Sequence, residues 1–240
     1  MDILVTGASG FIGRNLCEAL ARQGHSVLQA NSHTSITELD DYLSQADFVY
    51  HLAATHRPKD FSDFQTVNVE YFRHLLQKLT VRSLPCPVAF MSSIQAGNGS
   101  DYGNSKVAGE KLLREYGKLT GARTHVLRLT NTFGKYAKPN HTSVVATFCY
   151  NLSHSLPIVV NNPDAPLNLC YIDFVINELL RYLEGPSSTE KAMDEKDVIH
   201  TTVGELARKL QKIAGGELNV SPTRFDIYLQ ETYRWYQSLQ

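Results

Sequence analysis

The chain opens MDILVTGASGFIGRNLCEALARQG, and no other stretch constrains its fold as tightly. A short apolar run ends at Thr6, and an amphipathic run follows from Phe11 to Gly24. The first suits a buried strand and the second a helix packed on it. Between them lie Gly7, Gly10 and Gly13, spaced GxxGxxG. A strand that turns straight into a helix needs a tight bend, and Gly7 can supply positive φ. A side chain at Gly10 would block close approach of a pyrophosphate. A bare Gly13 lets the helix pack against the strand. The free N–H groups and positive dipole end of the helix then face the bend, which suits the diphosphate of a dinucleotide. Phe11 and Ile12 open the same helix and join this cofactor-binding set. A glycine triplet alone is weak evidence, but at the first strand–helix turn of an alternating chain it is strong.

The alternation continues. HSVLQAN, ADFVYHLAA, PVAFMSS and THVLRLT read as strands. ITELDDYLSQ, FQTVNVEYFRHLLQKLTV and YGNSKVAGEKLLREYGKLTG read as helices between them. Strands separated by helices imply βαβ units, and therefore a parallel sheet covered on both faces. The expected fold is α/β, a doubly wound parallel Rossmann sheet with a small C-terminal substrate-binding lobe. Residues 1–135 form the dinucleotide-binding domain. Residues 136–240 form mainly the lobe, with 167–184 returning to the Rossmann sheet. In the lobe, LPIVV and LNLCYI are expected as short strands, and the polar GPSSTEKAMDEKD as a surface loop.

Composition narrows the function. With 240 residues and 42% hydrophobic content, the chain can bury a sizeable core as one large domain or a domain with a small lobe. Its net charge is −1 with no basic stripe, so neither nucleic acid nor an acidic membrane is an expected partner. The N-terminus has no secretory pattern and no run reaches membrane-span length, so a cytoplasmic protein is expected. Cys17, Cys86, Cys149 and Cys170 are scattered without a CxxC and read as reduced, buried thiols. Nine histidines show neither HxH nor HExxH, so no metal site is expected.

The second strand should end in the residue that reads the adenosine ribose, where an acid favours NAD. Here SVLQANSHTS holds no acid, and a 2′-phosphate would meet Asn31, Ser32 and His33. The cofactor expected is NADPH, with NAD(H) the alternative. Downstream, SSIQAGNGSDYGNSK places Tyr102 and Lys106 four residues apart, on one helix face, just after two serines. By itself that pair is an ordinary surface coincidence. Beside a dinucleotide it has a use, because hydride transfer to a carbonyl leaves an alkoxide that needs a proton. A free phenol titrates near pH 10. A cation ~4 Å away at an effective dielectric near 20 is worth roughly 4 kcal/mol, so Lys106 is expected to lower the Tyr102 phenol by about three pH units. A serine hydroxyl can hold the carbonyl oxygen in line.

At this point the chain resembles the extended short-chain dehydrogenase/reductase family. The resemblance rests on TGASGFIG, HLAA at 51–54, Asn68 in a long helix, the paired serines, YGNSK and RLTNTFG, and it covers nearly the whole chain. It implies that Ser93, Tyr102 and Lys106 are the catalytic set; Ser92 is the alternative serine, with Ser93 the better fit to the family position. It implies that Leu52, Ala53 and Ala54 line the cofactor through their backbone. Asn68 would support the central strands and the cofactor site, and Ser92 would join that site. Asn131 matches the asparagine that touches a nucleotide-sugar diphosphate in the family.

The segments SSIQA, FGKYAKPNHTSVVATFCY, LNLCYIDFV and TVGELARKL resemble more narrowly the reductase domain of CapF-like bifunctional capsule enzymes. That resemblance implies NADPH-dependent reduction of the C4 keto group of a UDP-4-keto-6-deoxy-hexosamine, on the way to N-acetyl-L-fucosamine. CapF-like proteins continue into a metal-binding cupin domain that epimerises C3, and this chain stops before it. A cupin epimerase domain, on a longer chain or supplied separately, is therefore an expected partner, and a homodimer is expected too. Two departures stand out. Ser93 and Tyr102 are only nine residues apart, so the loop between them is short. Leu167 and Asn168 stand where many members carry a diphosphate-binding arginine, so Lys135 or Lys138 would supply that charge, with Ser93, Asn131, Lys138 and Asn140 facing the substrate. His51 reads as a packed strand-end residue. Tyr228, Tyr233, Trp235 and Tyr236 read as core or a domain-docking surface, with a dimer contact as the alternative. Two competing functions are a nucleotide-sugar 4-epimerase or dehydratase, and a non-catalytic NADP-binding sensor. A dehydratase would want an acid pair near the serine, and SSIQAGN has none. Sensors commonly lose the Tyr and Lys that are present here.

Overall fold

A computed structural model describes residues 1–56, 60, 62–217 and 221–239. In chain order the first half holds β1 (Asp2–Thr6), α1 (Phe11–Arg22), β2 (Ser26–Ala30), α2 (Ile36–Gln45) and β3 (Phe48–His51). Next come α3 (Ser62–Gln65), a π-helical turn (Thr66–Glu70), α4 (Tyr71–Thr80), β4 (Val88–Ser93), α5 (Asp101–Thr120) and β5 (Thr124–Leu129). The second half holds β6 (Asn131–Phe133), α6 (Val144–Ser153), β7 (Pro166–Tyr171), α7 (Ile172–Arg181), β8 (Ser188–Ala192), β9 (Val198–Thr202), α8 (Val203–Ala214) and α9 (Arg224–Gln237).

The chain divides into two units, residues 1–129 with 176–192, and residues 130–175 with 193–240. The first is a six-stranded sheet in the order β2-β1-β3-β4-β5-β8, parallel throughout. From β1 the chain steps outward to β2, then returns to place β3 on the other side. Ligands of such sheets bind beyond the carboxyl ends of the strands at this reversal. Strand alternation splits the core between two faces. Leu4, Val49, Val88, Phe90 and Val126 pack with Leu39 and Leu43 of α2, Phe72 and Leu75 of α4 and Leu113 of α5. On the other face Tyr50 donates to the Leu179 carbonyl of α7 at 2.7 Å, and Tyr182 stacks on His125 at 4.4 Å.

The second unit is built on a three-stranded sheet, β6-β7-β9, with β6 parallel and β9 antiparallel to β7. α9 starts at a capping box made by Thr223 and Asp226. Its Tyr233 and Tyr236 are buried in the unit's own core, while Tyr228 stacks on Tyr171 at 4.2 Å. Trp235 meets Tyr136 edge-on at 5.2 Å.

Four expectations are corrected. The strand that completes the parallel sheet comes from the polar stretch read as a loop, STEKA at Ser188–Ala192. It is an edge strand, where charged side chains are tolerated and useful. Residues 167–184 supply no strand to that sheet, because β7 pairs with β6 and β9; from this stretch only the part from Ile176 on belongs to the first unit. LPIVV is not a strand. After α6 the Leu156 N–H turns back to the Asn151 carbonyl, and the Asn151 side chain takes the Pro157 carbonyl, so local turns already satisfy these backbone groups. Finally, the long helix from residue 64 is interrupted by the π-helical turn at 66–70.

Candidate active site

The glycine turn behaves as its spacing predicts. Gly7 has φ +70°, and the Gly10 N–H bonds the Gly7 carbonyl at 2.9 Å. A Cβ on Gly13 would lie 2.2 Å from the Gly7 oxygen, and a Cβ on Gly7 would lie 2.8 Å from the Ala53 nitrogen. The three backbones therefore meet at distances that only glycine permits. Gly10 caps α1 with extended backbone and no side-chain hydrogen bond, and no acid sits in the first turn beside Phe11 and Ile12. This cradle of bare backbone at a helix N-terminus fits a dinucleotide diphosphate.

Beyond β2 the chain folds into a small turn. The Asn31 side chain accepts from the His33 N–H at 2.9 Å, and the Asn31 N–H donates to Thr34 Oγ1 at 3.0 Å. Ser32 and His33 are exposed on it, with no carboxylate among residues 31–34. Thr34 is a member of this turn that sequence reasoning overlooked.

Thr6, at the end of β1, organises the next segment. Its carbonyl accepts from the Leu52 N–H at 3.2 Å, and its hydroxyl oxygen accepts from the Ala53 N–H at 3.3 Å. The same hydroxyl pairs with His51 Nδ1 at 2.8 Å. His51 is buried flat against Phe72, 4.2 Å away and 5° from parallel. Burial, with a smaller push from the Lys106 charge, drives its imidazole down to about 3. Asn68 lies in the π-helical turn, a distortion common at functional sites. Its side chain accepts from the Thr55 N–H at 2.8 Å and donates to the Thr55 carbonyl at 3.1 Å and to Ser105 Oγ at 3.0 Å. One buried amide thus holds the chain after β3 and ties it to α5.

β4 carries both serines, and alternation sends them opposite ways. Ser92 donates to Glu110 at 2.5 Å on the α5 side. Ser93 accepts from the Gln95 N–H at 3.1 Å, and its hydroxyl lies near enough to the Tyr102 phenol to favour the ionised form. The loop between Ser93 and Tyr102 closes tightly through Gly97 and Gly99, both at positive φ, and Ser100 caps α5 by accepting from the Gly103 N–H. A Cβ on Gly103 would lie 2.3 Å from the Gln95 oxygen, so the loop lies directly on the first turn of the helix.

Tyr102 and Lys106 are both buried, one turn apart. Lys106 donates to the Met91 carbonyl at 2.9 Å, and its Nζ lies 5.1 Å from the Phe90 ring centre and 5.6 Å from that of Tyr102. His56 covers the tyrosine ring at 4.6 Å. The expected lowering of the phenol is overturned. Burial pushes Tyr102 up to about 12, opposed by the nearby Ser93 hydroxyl. Burial also pulls Lys106 down to about 8, opposed by Glu110. Desolvation outweighs the mutual attraction, because the ammonium points at a strand carbonyl rather than at the phenol oxygen.

Sequence reasoning missed Glu110. It is 3% exposed and receives Ser92 together with Nε and Nη2 of Arg128, at 2.8 and 2.6 Å. Its signal was present: it stands four residues after Lys106, on the same helix face.

The residues assigned to substrate, apart from Ser93, belong to the second unit. Asn131 is exposed on β6, opposite Leu169. Lys138 and Asn140 are exposed in the following loop, where Asn140 has φ +55° and its N–H donates to Thr147 Oγ1 at 2.9 Å. Lys135 sits over the Tyr136 ring at 5.1 Å. At the place lacking the arginine, Asn168 pairs with His200 across β7 and β9 at 2.8 Å. Among the described residues no helix is long and apolar enough to cross a membrane, and no cluster of His, Cys, Asp and Glu could hold a metal.

The model of the NAD dependent epimerase/dehydratase family matches residues 3–194. A UDP-2-acetamido-2,6-beta-L-arabino-hexul-4-ose reductase from Pseudomonas aeruginosa is 36% identical over 93% of this chain and 60% of its own length. The crystal structure of the capsular polysaccharide assembling protein CapF from Staphylococcus aureus superposes with TM-score 0.88 at 36% identity, over 98% of this chain and 66% of that one. The chain therefore spans just under two thirds of either relative. A UDP-glucuronic acid 4-epimerase from Bacillus cereus, in complex with NAD, matches with TM-score 0.83 over 100% of this chain and 99% of that one. At 21% identity that likeness is one of fold.

Proposed function

The chain belongs to the NAD dependent epimerase/dehydratase family, and from that premise we propose that it reduces the C4 keto group of a UDP-4-keto-6-deoxy-hexosamine with NADPH, in the making of a capsule or O-antigen sugar of the N-acetyl-L-fucosamine type. The observation that carries this reading is the buried Tyr102–Lys106 pair with Ser93 at the phenol. The likeness to a 36% identical reductase of a UDP-hexulose supports the substrate class.

Gly7, Gly10, Phe11, Ile12 and Gly13 hold the diphosphate of the cofactor. Ser32 and His33, on an exposed turn without a carboxylate, take the 2′-phosphate that distinguishes NADPH. The backbone of Leu52, Ala53 and Ala54, held by Thr6 and Asn68, lines the nicotinamide side, and Lys106 takes a ribose hydroxyl. Bound there, the nicotinamide supplies the hydride for C4. Ser93 donates a hydrogen bond to the ketone oxygen and holds it in line. Tyr102, protonated at neutral pH, gives its proton to the same oxygen as the alcohol forms. Lys106, charged at neutral pH, stabilises the phenolate left behind. Asn131, Lys138 and Asn140 recognise the UDP-sugar. The setting is the cytoplasm, the working form a homodimer, and a cupin-type epimerase acts on the same sugar.

Nicotinamide absorbance tests the reading. NADPH should be consumed with the 4-keto UDP-sugar, faster than NADH, and Tyr102→Phe should abolish turnover while sparing cofactor binding. Intact substrate in the presence of NADPH and folded enzyme would overturn it.

A further inference from the structure

Lys106 is a buried cation, and among the described residues its hydrogen bond goes to a strand carbonyl. Its neighbours offer little charge compensation. On β4 it meets the Met91 carbonyl and the Phe90 ring; on α5 it faces the neutral phenol of Tyr102. On β3 stands His51, which burial keeps neutral. Asn68, in the π-helical turn, reaches α5 through Ser105 and is uncharged. The negative group in this set is Glu110, one turn further along α5 and 3% exposed.

Glu110 is not isolated. Arg128 of β5 takes both its oxygens, and Arg128 is itself shared with Glu190 of β8 at 3.5 Å. Glu190 also pairs with Arg114 of α5. Signs alternate from the buried lysine outward: Lys106, Glu110, Arg128, Glu190, Arg114. Glu190 sits where the β5–β8 register shifts, with φ +52°, a conformation that costs a non-glycine residue energy. A strained backbone that turns a carboxylate towards a half-buried arginine is a second observation pointing to the same ladder. If Arg128 were held by Glu110 alone, the two charges would cancel and Lys106 would see little negative potential. Division of Arg128 between two carboxylates leaves Glu110 partly uncompensated towards Lys106.

We propose that Glu110, through an Arg128 shared with Glu190, is a positioning residue that keeps Lys106 in its charged form at the reacting tyrosine. The kinetic consequence rests on the reductase reading; the charge state of Lys106 does not. The direction of the Lys106 shift agrees, since Glu110 raises what burial lowers.

The test follows the 13Cε chemical shift of lysine-labelled full chain against pH, with the Lys106 signal assigned by its loss in Lys106→Met. In the unaltered chain the signal should titrate near pH 8. Glu110→Gln should lower that midpoint by about one pH unit, roughly tenfold less charged lysine above it, and Glu110→Asp should restore part of it. Glu190→Gln removes a charge at the sheet edge with little threat to folding, and should move the midpoint the same way by a smaller amount. A midpoint unmoved in folded Glu190→Gln and Glu110→Gln overturns the proposal, as does a Lys106 that holds its charge well above pH 10 in all forms. The alkaline limb of the rate profile, run in parallel, should shift with the NMR midpoint. A shifted midpoint without NADPH turnover in any form would sink the reductase reading and leave the charge ladder standing.

Discussion

Ser92 and Ser93 are adjacent in sequence and point to opposite faces of β4, one to the buried carboxylate of Glu110 and the other to the phenol of Tyr102. Their substitutions should separate accordingly. Ser93→Ala should lower kcat roughly a hundred- to a thousandfold with little change in unfolding midpoint, because it removes a donor to the reacting oxygen. Ser92→Ala leaves Glu110 one donor short and should cost about 2 kcal/mol of stability, with the smaller kinetic effect. Urea unfolding and steady-state kinetics on the two variants decide this, and the reverse pattern would reassign the serines.

Gly13 has no room for a methyl group. An added Cβ meets backbone of Gly7 and Ala8 at 2.2 to 2.9 Å, and backbone cannot swing aside as a side chain can. Gly13→Ala should destabilise the protein by ~3 kcal/mol and weaken cofactor binding at least about tenfold, since the phosphate turn must move. Gly24, with φ +80° and open space around it, is the control; its alanine variant should cost about 1 kcal/mol and leave cofactor affinity alone.

Asn68 protects a backbone N–H that belongs to no strand or helix. Asn68→Leu should leave the Thr55 N–H without its acceptor and speed its hydrogen exchange by at least about tenfold. Nicotinamide cofactor KM should rise with it, because the backbone at residues 52–54 loses its clamp. An unchanged Thr55 exchange rate would show that other contacts hold this segment.

His51 should make the fold sensitive to acid. The folded chain keeps the imidazole neutral down to about 3, whereas an unfolded histidine takes up a proton near pH 6.5. Between those values the unfolded state binds more protons, so stability falls as pH drops. From pH 7 to pH 5 the loss from this group should be about 2 kcal/mol. His51→Phe keeps a ring against Phe72 and Phe90 but cannot titrate, so the urea midpoint should change less between those two pH values than in the unaltered protein. Equal changes in both would show that His51 is not the source.

The parts legible in the sequence are those that local chemistry decides. Gly7 and Gly13 are required by backbone geometry at one turn, and Tyr102 and Lys106 share a face through helix spacing alone. Strands β1 to β5 announce themselves by apolar runs. β8 does not, because an edge strand needs no apolar face and its charged side chains answer Arg114, Arg128 and Glu178 on other elements. LPIVV misleads for the opposite reason, being apolar without a strand to pair with. The π-helical turn around Asn68 is a matter of hydrogen-bond register, which residue types do not encode visibly. The proton affinity of Tyr102 depends on how deeply the pair is buried, and proximity of Lys106 by itself gave the wrong sign.

The late arrival of β8 bears on how the chain is born. β5 ends at Leu129, and its outer neighbour begins only at Ser188. A nascent chain that has emerged as far as β5 therefore presents a full row of unpaired amides and carbonyls on an apolar strand, the kind of edge that recruits other chains. It stays open while the ribosome adds the whole of residues 130–187, several seconds at ordinary translation speeds. Nothing sequence-local can shorten that interval, since the closing contact is long-range. Production of this protein should accordingly depend on chaperone supply during synthesis more than its finished stability would suggest.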